Sequence, residues 1–348
     1  MADIKTGKPI LDVLDGRTAT RTPIWLMRQA GRYLPEYRAT RAQARDFLDL
    51  CYSPDLATEV TLQPLRRYDL DAAILFADIL LIPQALGQNL KFVEGEGPRL
   101  EPVKDATDLD RLRLDGCADH LAPVMETVRR LSQALPAHVA LIGFAGAPWT
   151  VATYMVAGQG TDDQGPARMM AYRQPELFGK LIDLLVQATA DYLLAQVKAG
   201  AEIIQIFDTW AGSLPQAEFD KWVIAPTRKL VALLRQGAPG IPVIGFARGA
   251  GMGHGIYAKT TGVDAISVET QMAPSAMADL AGQGIAVQGN IDPLALVAGG
   301  PCLDHAVDEL LGAMKGHRHI LNLGHGIVPQ TSPDHVSQLI DRARKFEA

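Results

Sequence analysis

Cysteine is scarce: Cys51, Cys117 and Cys302 are the only three in 348 residues, and no two form a CxxC pair. That excludes a disulfide framework and a zinc ribbon, and it fits a reducing cytosol. Positive charge is not in excess either. A net charge of −6 argues against a protein that binds nucleic acid by neutralising phosphates. The opening stretch, MADIKTGKPILDVLDGR, has charges spread through it and lacks the apolar run of a signal peptide, so a cytoplasmic location is expected. Ser132 to Thr161 contains no Asp, Glu, Lys or Arg and is long enough to span a bilayer. Pro136, Gly143, Gly146, Pro148 and Gly158 interrupt it, so it reads as a buried strand followed by a structured loop, with no membrane involved. HExxH and GxSxG are missing, which removes the sequence grounds for a zinc protease or an α/β-hydrolase. The glycine-rich FARGAGMGHG lacks both the GK[ST] ending and the full GxGxxG fingerprint of a phosphate cradle.

What is present is an ordinary globular composition, 48% hydrophobic and 21% charged. Apolar runs rich in Val, Ile, Leu and Phe recur, and amphipathic stretches separate many of them. Strands are predicted at Thr22 to Met27, Ala72 to Phe76, Val139 to Phe144, Glu202 to Phe207, Ile241 to Phe246, Asp264 to Val268, Ile285 to Gln288 and Arg318 to Leu323. Helices are predicted at Pro175 to Val197 and Pro226 to Leu234, each with proline near its start. Runs such as EIIQIF and IPVIGF suit parallel strands covered on both faces. With no linker or composition shift between the halves, the fold class is α/β, a single (β/α)8 TIM barrel over residues 1–348. A seven-strand or distorted barrel would give the same pattern.

Polar residues follow the strands at their C-terminal ends: Arg28, Asp78, Asp208, Arg248, Glu269, Asp292 and His325. In a barrel, active sites form on that rim. From Arg17 to Arg45 the charged residues are seven arginines and the lone acid Glu36. Arginine without lysine suits bidentate recognition of carboxylate or phosphate, although an Arg-rich surface helix or subunit contact would look alike. Arg28 and Arg32 are the better candidates because they flank Gly31 just beyond a strand. In ILFADIL, Asp78 interrupts an apolar stretch. It is either a cap or structural ion pair, or an acceptor for several substrate N–H groups that also stabilises nearby positive charge. Tyr154, in GFAGAPWTVATYMVAG, is a polar-tipped aromatic or simply a core tyrosine. Asp208 and Thr209 in FDTWAG cap a turn or face a ligand, and His325 in NLGHGI is a loop hydrogen-bonder or a ligand contact.

MRQAGR followed by GFAGAPWT, with ILFADIL, FDTWAG, FARGAG, QGNIDP and NLGHGI around them in order, resembles the uroporphyrinogen decarboxylase family. The resemblance covers essentially the whole chain. It implies an enzyme of haem synthesis that removes CO2 from the four acetate arms of uroporphyrinogen III to give coproporphyrinogen III. It further implies a distorted (β/α)8 barrel, a homodimer, and no metal or organic cofactor. By motif, Arg28 and Arg32 meet substrate carboxylates, Gln29 and Ala30 line the cleft, Gly31 belongs to the same substrate-binding segment, and Asp78 is the central aspartate. Tyr154, Thr209 and His325 match further substrate contacts, and Asp78 with Arg28 carries the catalytic roles. Thr209 stands where some members carry Ser, and Arg248 where Lys is more often expected. Two other readings compete. A methylcobamide-dependent methyltransferase shares the barrel, but such proteins typically carry a His-x-Cys pair for zinc, and none occurs here. A catalytically silent tetrapyrrole carrier would keep the arginines without needing Asp78.

Overall fold

The computed structural model describes residues 7–346 apart from 18 and 94. The first six residues of the opening stretch read above therefore lie outside the described residues. Seven strands form one parallel sheet: β1 (Ala72–Ile74), β4 (Ala140–Gly146), β5 (Ile203–Asp208), β6 (Val243–Ala247), β7 (Ala265–Ser267), β8 (Ala286–Ile291) and β9 (His319–Leu323). They are hydrogen-bonded in that order. Their side chains alternate between two cores. Ile142, Ile203, Ile244, Phe246 and Ile320 fill the barrel interior, whereas Leu141, Ile204, Ile206, Val243 and Leu321 face the outer helices. Burial on both faces explains the continuous apolar runs. The floor is closed by the Pro9–Leu14 helix, whose Ile10, Val13 and Leu14 join Trp25 and Met27 in the interior core.

The predicted first strand is the main correction. Thr22 to Met27 is reduced to a single parallel bridge, Ile24 with Leu321. It still occupies the eighth place. On one side Leu321 N–H donates to the Pro23 carbonyl at 2.9 Å and Trp25 N–H to the Leu321 carbonyl at 3.4 Å; on the other, Asp71 N–H donates to the Ile24 carbonyl at 2.8 Å. The segment thus joins β9 to β1, and the result is a distorted TIM-like barrel. The ladder is short because Pro23 has no N–H to give and the Ile24 N–H is taken by a side chain, Asp71 Oδ2, at 2.7 Å.

Two further differences bear on the cleft. The expected loop after β4 is a ten-residue helix, Pro148–Ala157. Seven of its residues are buried, so it has no polar face to produce a helical period in the sequence. An antiparallel hairpin, β2 (Leu90–Val93) with β3 (Gly97–Leu100), was not foreseen. Leu90 and Leu100 pack on Leu80, beside Ile79 and Tyr154. Elsewhere the reading and the structure agree closely, as in the helices Pro175–Ala199 and Ala225–Gly237. Among the described residues, no helix is long and apolar enough to cross a membrane.

Asp71 clasps the barrel shut. Its 0% exposed carboxylate accepts from Ile24 N at 2.7 Å, Arg21 Nη2 at 2.6 Å and Arg344 Nη2 at 2.6 Å. One side chain therefore ties the closing segment, β1 and the C-terminal helix Pro333–Phe346 together. We expect Asp71→Ala to lower stability by about 3 kcal/mol, the low end for a broken buried pair because both arginines remain partly wet. A urea midpoint that does not move would overturn this role.

Candidate active site

The closing segment delivers Arg28 to the C-terminal rim. Arg28 has φ 64°, a left-handed conformation that a side chain rarely adopts without support. Support comes from Gln29, 1% exposed. Its Oε1 accepts from Leu26 N at 3.1 Å and its Nε2 donates to the Ala72 carbonyl at 3.2 Å. Ile327 N–H donates to the Met27 carbonyl at 2.8 Å, which brings the loop after β9 against Arg28. There Gly326 leaves room for the arginine stem: a Cβ would lie 2.3 Å from Arg28 Cδ.

The seven arginines of the cationic segment separate cleanly. Arg17 pairs with Asp12 and Asp15, Arg21 with Asp69 and Asp71, and Arg45 with Asp49. Arg38 donates to the carbonyls of Arg32 and Tyr33, and Arg41 to that of Ala44. Arg28 and Arg32 alone engage no acid or carbonyl of the described residues through their guanidinium groups, and both are exposed. Burial nevertheless lowers the Arg28 pKa, as do the charges of Arg32 and Arg248, while Asp78 opposes them. Arg28 therefore lies in a depression where cations gather.

Asp78 follows β1 and is partly buried. Leu80 N–H donates to its Oδ1 at 2.8 Å, while Oδ2 has no bond among the described residues. Burial raises the carboxyl to about 6, against the lowering effects of the Leu80 N–H and the Arg28 charge. The group is predominantly a carboxylate at neutral pH. His325 is half-buried and lowered to about 4, first by burial and then by Arg28 and Arg248, so its ring is neutral. Its Nδ1 is buried without a partner. Tyr154 feels both Asp78 and Arg28, and burial raises its phenol. Its ring lies 6.5 Å from that of Trp210, which follows Thr209. The Trp210 indole N–H approaches Tyr154 without meeting hydrogen-bond geometry and is buried unpartnered. Arg28, Asp78, Tyr154, Arg248 and His325 thus share one electrostatic environment, with Thr209 and Trp210 at its edge. A separate cavity of about 760 Å³, lined by Arg235, Lys259, Asp264 and Arg318 among others, opens at the opposite end of the barrel and shares no residue with this cleft.

The family model described as uroporphyrinogen decarboxylase (URO-D) matches residues 5–346. The chain belongs to the uroporphyrinogen decarboxylase family. It is 52% identical over 340 residues to uroporphyrinogen decarboxylase of Sinorhizobium fredii, and 53% identical over 341 residues to that of Rhodospirillum rubrum, with 98% of each chain covered in both cases. Among solved structures, a methyltransferase from Methanosarcina mazei superposes with a TM-score of 0.79 at 19% identity, covering 99% of this chain and 100% of that one. A B12-independent methionine synthase from Shewanella gives 0.56 at 11% identity, covering 84% and 87%. These two likenesses concern the fold alone.

Within this uroporphyrinogen decarboxylase family barrel, several rim residues have internal duties. Gln29 holds the Arg28 turn from beneath instead of lining the cleft with its side chain, while Ala30 and Gly31 are partly exposed. Glu269 is buried against His254 at 2.9 Å. Asp292 caps the Pro293–Ala298 helix by accepting from Leu294 N at 2.8 Å. FDTWAG needs its glycine where it passes FARGAG, since a Cβ on Gly212 would lie 2.4 Å from the Gly249 carbonyl oxygen. Trp210 and the β2–β3 hairpin were missed as parts of the site; the tryptophan directly after Thr209 was the available signal. Because Arg28 holds the Asp78 pKa down, Arg28→Gln should move the acidic limb of the kcat/KM profile from near 6 to higher pH. An unmoved limb would assign that titration elsewhere.

Proposed function

We propose that this cleft binds uroporphyrinogen through its carboxylates and pyrrole N–H groups and uses Asp78 to stabilise the cation formed during decarboxylation. The chain is a uroporphyrinogen decarboxylase, a carboxy-lyase of haem biosynthesis. One observation carries the proposed roles: Asp78 is a carboxylate with an open oxygen, placed among Arg28, the neutral His325 and Tyr154.

The substrate has eight carboxylates on a flexible macrocycle. Arg28, Arg32 and Arg248 supply charge-assisted hydrogen bonds to them and draw the anion in. Four pyrrole N–H groups converge on one side of the macrocycle, where the open Asp78 oxygen accepts them. Protonation of the ring carbon beside an acetate-bearing carbon makes an iminium-like cation, which the fixed carboxylate stabilises. The bond to the carboxylate then breaks, CO2 leaves, and its electron pair neutralises the ring as an exocyclic methylene. A proton added to that methylene gives the methyl group, and loss of the ring proton restores the pyrrole. Each round exchanges one carboxylate for one proton. Arg28 orients the departing acetate; a guanidinium, which keeps its proton in proteins, is a poor acid. A substrate carboxyl, a water or Asp78 is the better proton donor.

Residues 1–348 read as one catalytic domain, a reading supported by the family match over 5–346. A cytosolic location is supported by three unpaired cysteines. The homodimer rests on family resemblance, and sedimentation at micromolar concentration should give twice the 37.5 kDa chain mass; a monomer there would remove it.

In anaerobic, dark incubation with freshly reduced uroporphyrinogen III, the protein should yield seven-, six-, five- and four-carboxylate products. Asp78→Ala should reduce kcat by roughly a hundredfold or more, the scale for losing one fixed electrostatic stabiliser. Arg28→Ala should lower kcat/KM by about tenfold to a hundredfold, the scale for a charge-assisted bond. Near-wild-type turnover in a folded variant would sink the role given to that residue. Binding without turnover in the wild type would favour the carrier reading, and stoichiometric bound zinc the methyltransferase reading.

A further inference from the structure

Behind the cleft lies a buried carboxylate with no part in the mechanism above. Asp208 ends β5 and is 0% exposed. Its Oδ1 accepts from the Thr150 hydroxyl at 2.5 Å, while Oδ2 is buried with no partner. The Thr150 oxygen itself accepts from Trp210 N–H at 3.0 Å. Next to it, Trp149 Nε1 donates to the Trp210 carbonyl at 3.0 Å. These bonds lace the turn carrying Thr209 and Trp210 to the first turn of the Pro148–Ala157 helix, which carries Tyr154 one turn later. On its other side, the Asp208 carbonyl accepts from Arg248 N at 3.1 Å. The residue therefore stands behind three groups of the cleft and touches none of the reacting atoms.

We propose that Asp208 is a positioning residue, which through Thr150 holds Thr209, Trp210 and Tyr154 in the arrangement that binds substrate. This rests on the decarboxylase reading only for the identity of the ligand. The groups around Asp208 are the Thr150 hydroxyl, the Tyr257 hydroxyl from the Gly253–Thr261 helix, and the backbone of Arg248, with the Thr227 hydroxyl of the Ala225–Gly237 helix next to Tyr257. Tyr257 and Thr227 have buried oxygens without hydrogen-bond geometry to any partner. No cation pairs with the carboxylate among the described residues, so its charged form is uncompensated. Burial raises it to about 7 from 3.8, with Thr150 opposing. The sign follows: the protonated form is favoured by folding, and the group's contribution declines as pH rises from about 4 through about 7. Ionisation costs fold stability but leaves the Thr150 bond in place, because a hydroxyl that donates to a carboxylate favours the charged form.

The test uses the full-length protein, with KM and kcat for uroporphyrinogen III and Kd for coproporphyrinogen III between pH 6 and 8. Product affinity reads the site even if the wild type proves not to decarboxylate, so failure of the activity and failure of the positioning role remain distinct. Thr150→Val and Asp208→Ala should each weaken product binding and raise KM about tenfold, with less change in kcat. Thr150→Ser, which keeps the hydroxyl, should restore both. Asp208→Asn keeps an acceptor for Thr150, so it should bind product as the wild type does at both pH 6 and pH 8. An unchanged Kd in folded Thr150→Val, or an Asp208→Asn variant that binds as weakly as Asp208→Ala, would overturn the proposal. If Asp208→Ala fails to fold, the Thr150 pair and Asp208→Asn still decide it.

Discussion

The barrel depends on a closure made by very little backbone. Three main-chain hydrogen bonds and one carboxylate, Asp71, hold the segment around Ile24 between the last strand and the first. Had that segment formed a full strand, its end would continue the regular ladder. Instead it leaves the sheet early and turns through Arg28 in a left-handed conformation. The loss of ladder bonds is offset by the ionic clasp below and by Gln29 above. The consequence is positional: Arg28 is placed between the exit of β9, with His325, and the exit of β1, with Asp78. The chemistry assigned to the cleft follows from that adjacency.

Two aspartates, one at the cleft and one behind it, show how neighbours divide a common cost. Burial pushes both carboxyls upward. Asp78 has the Arg28 charge and a backbone N–H against that push and stays near 6; Asp208 has a threonine bond without a cation and reaches about 7. The Arg28 charge favours the ionised form of the first, while the second has no cation to oppose its burial. Placing the charged one at the surface of the cleft and the other behind it gives each a task suited to its state.

Much of this was legible in the chain. The seven sheet strands follow from doubly covered apolar runs, and the rim residues from the polar side chains just after them. Resemblance selected Arg28, Asp78, Tyr154, Thr209 and His325 by motif. Composition could not sort the seven arginines, because Arg21 and Arg28 look alike until Asp69 and Asp71, distant in sequence, fold against the first. The buried helix after β4 gave no period because it has no wet face. The short bridge at Ile24 was hidden because its apolar residues still look like a strand, while the competing acceptor for its N–H lies 47 residues away.

The sealed floor has a consequence for traffic. With Ile10, Val13, Leu14 and Trp25 filling the barrel from below, the cleft is closed at its floor among the described residues, and it opens at the rim. On the proposed assignment, a macrocycle presenting four acetate arms in succession must turn at that doorway for each arm to reach Asp78 and Arg28. On the same assignment, the loss of four negative charges progressively weakens the attraction to the arginines, so release becomes easier as the work on the ring is completed.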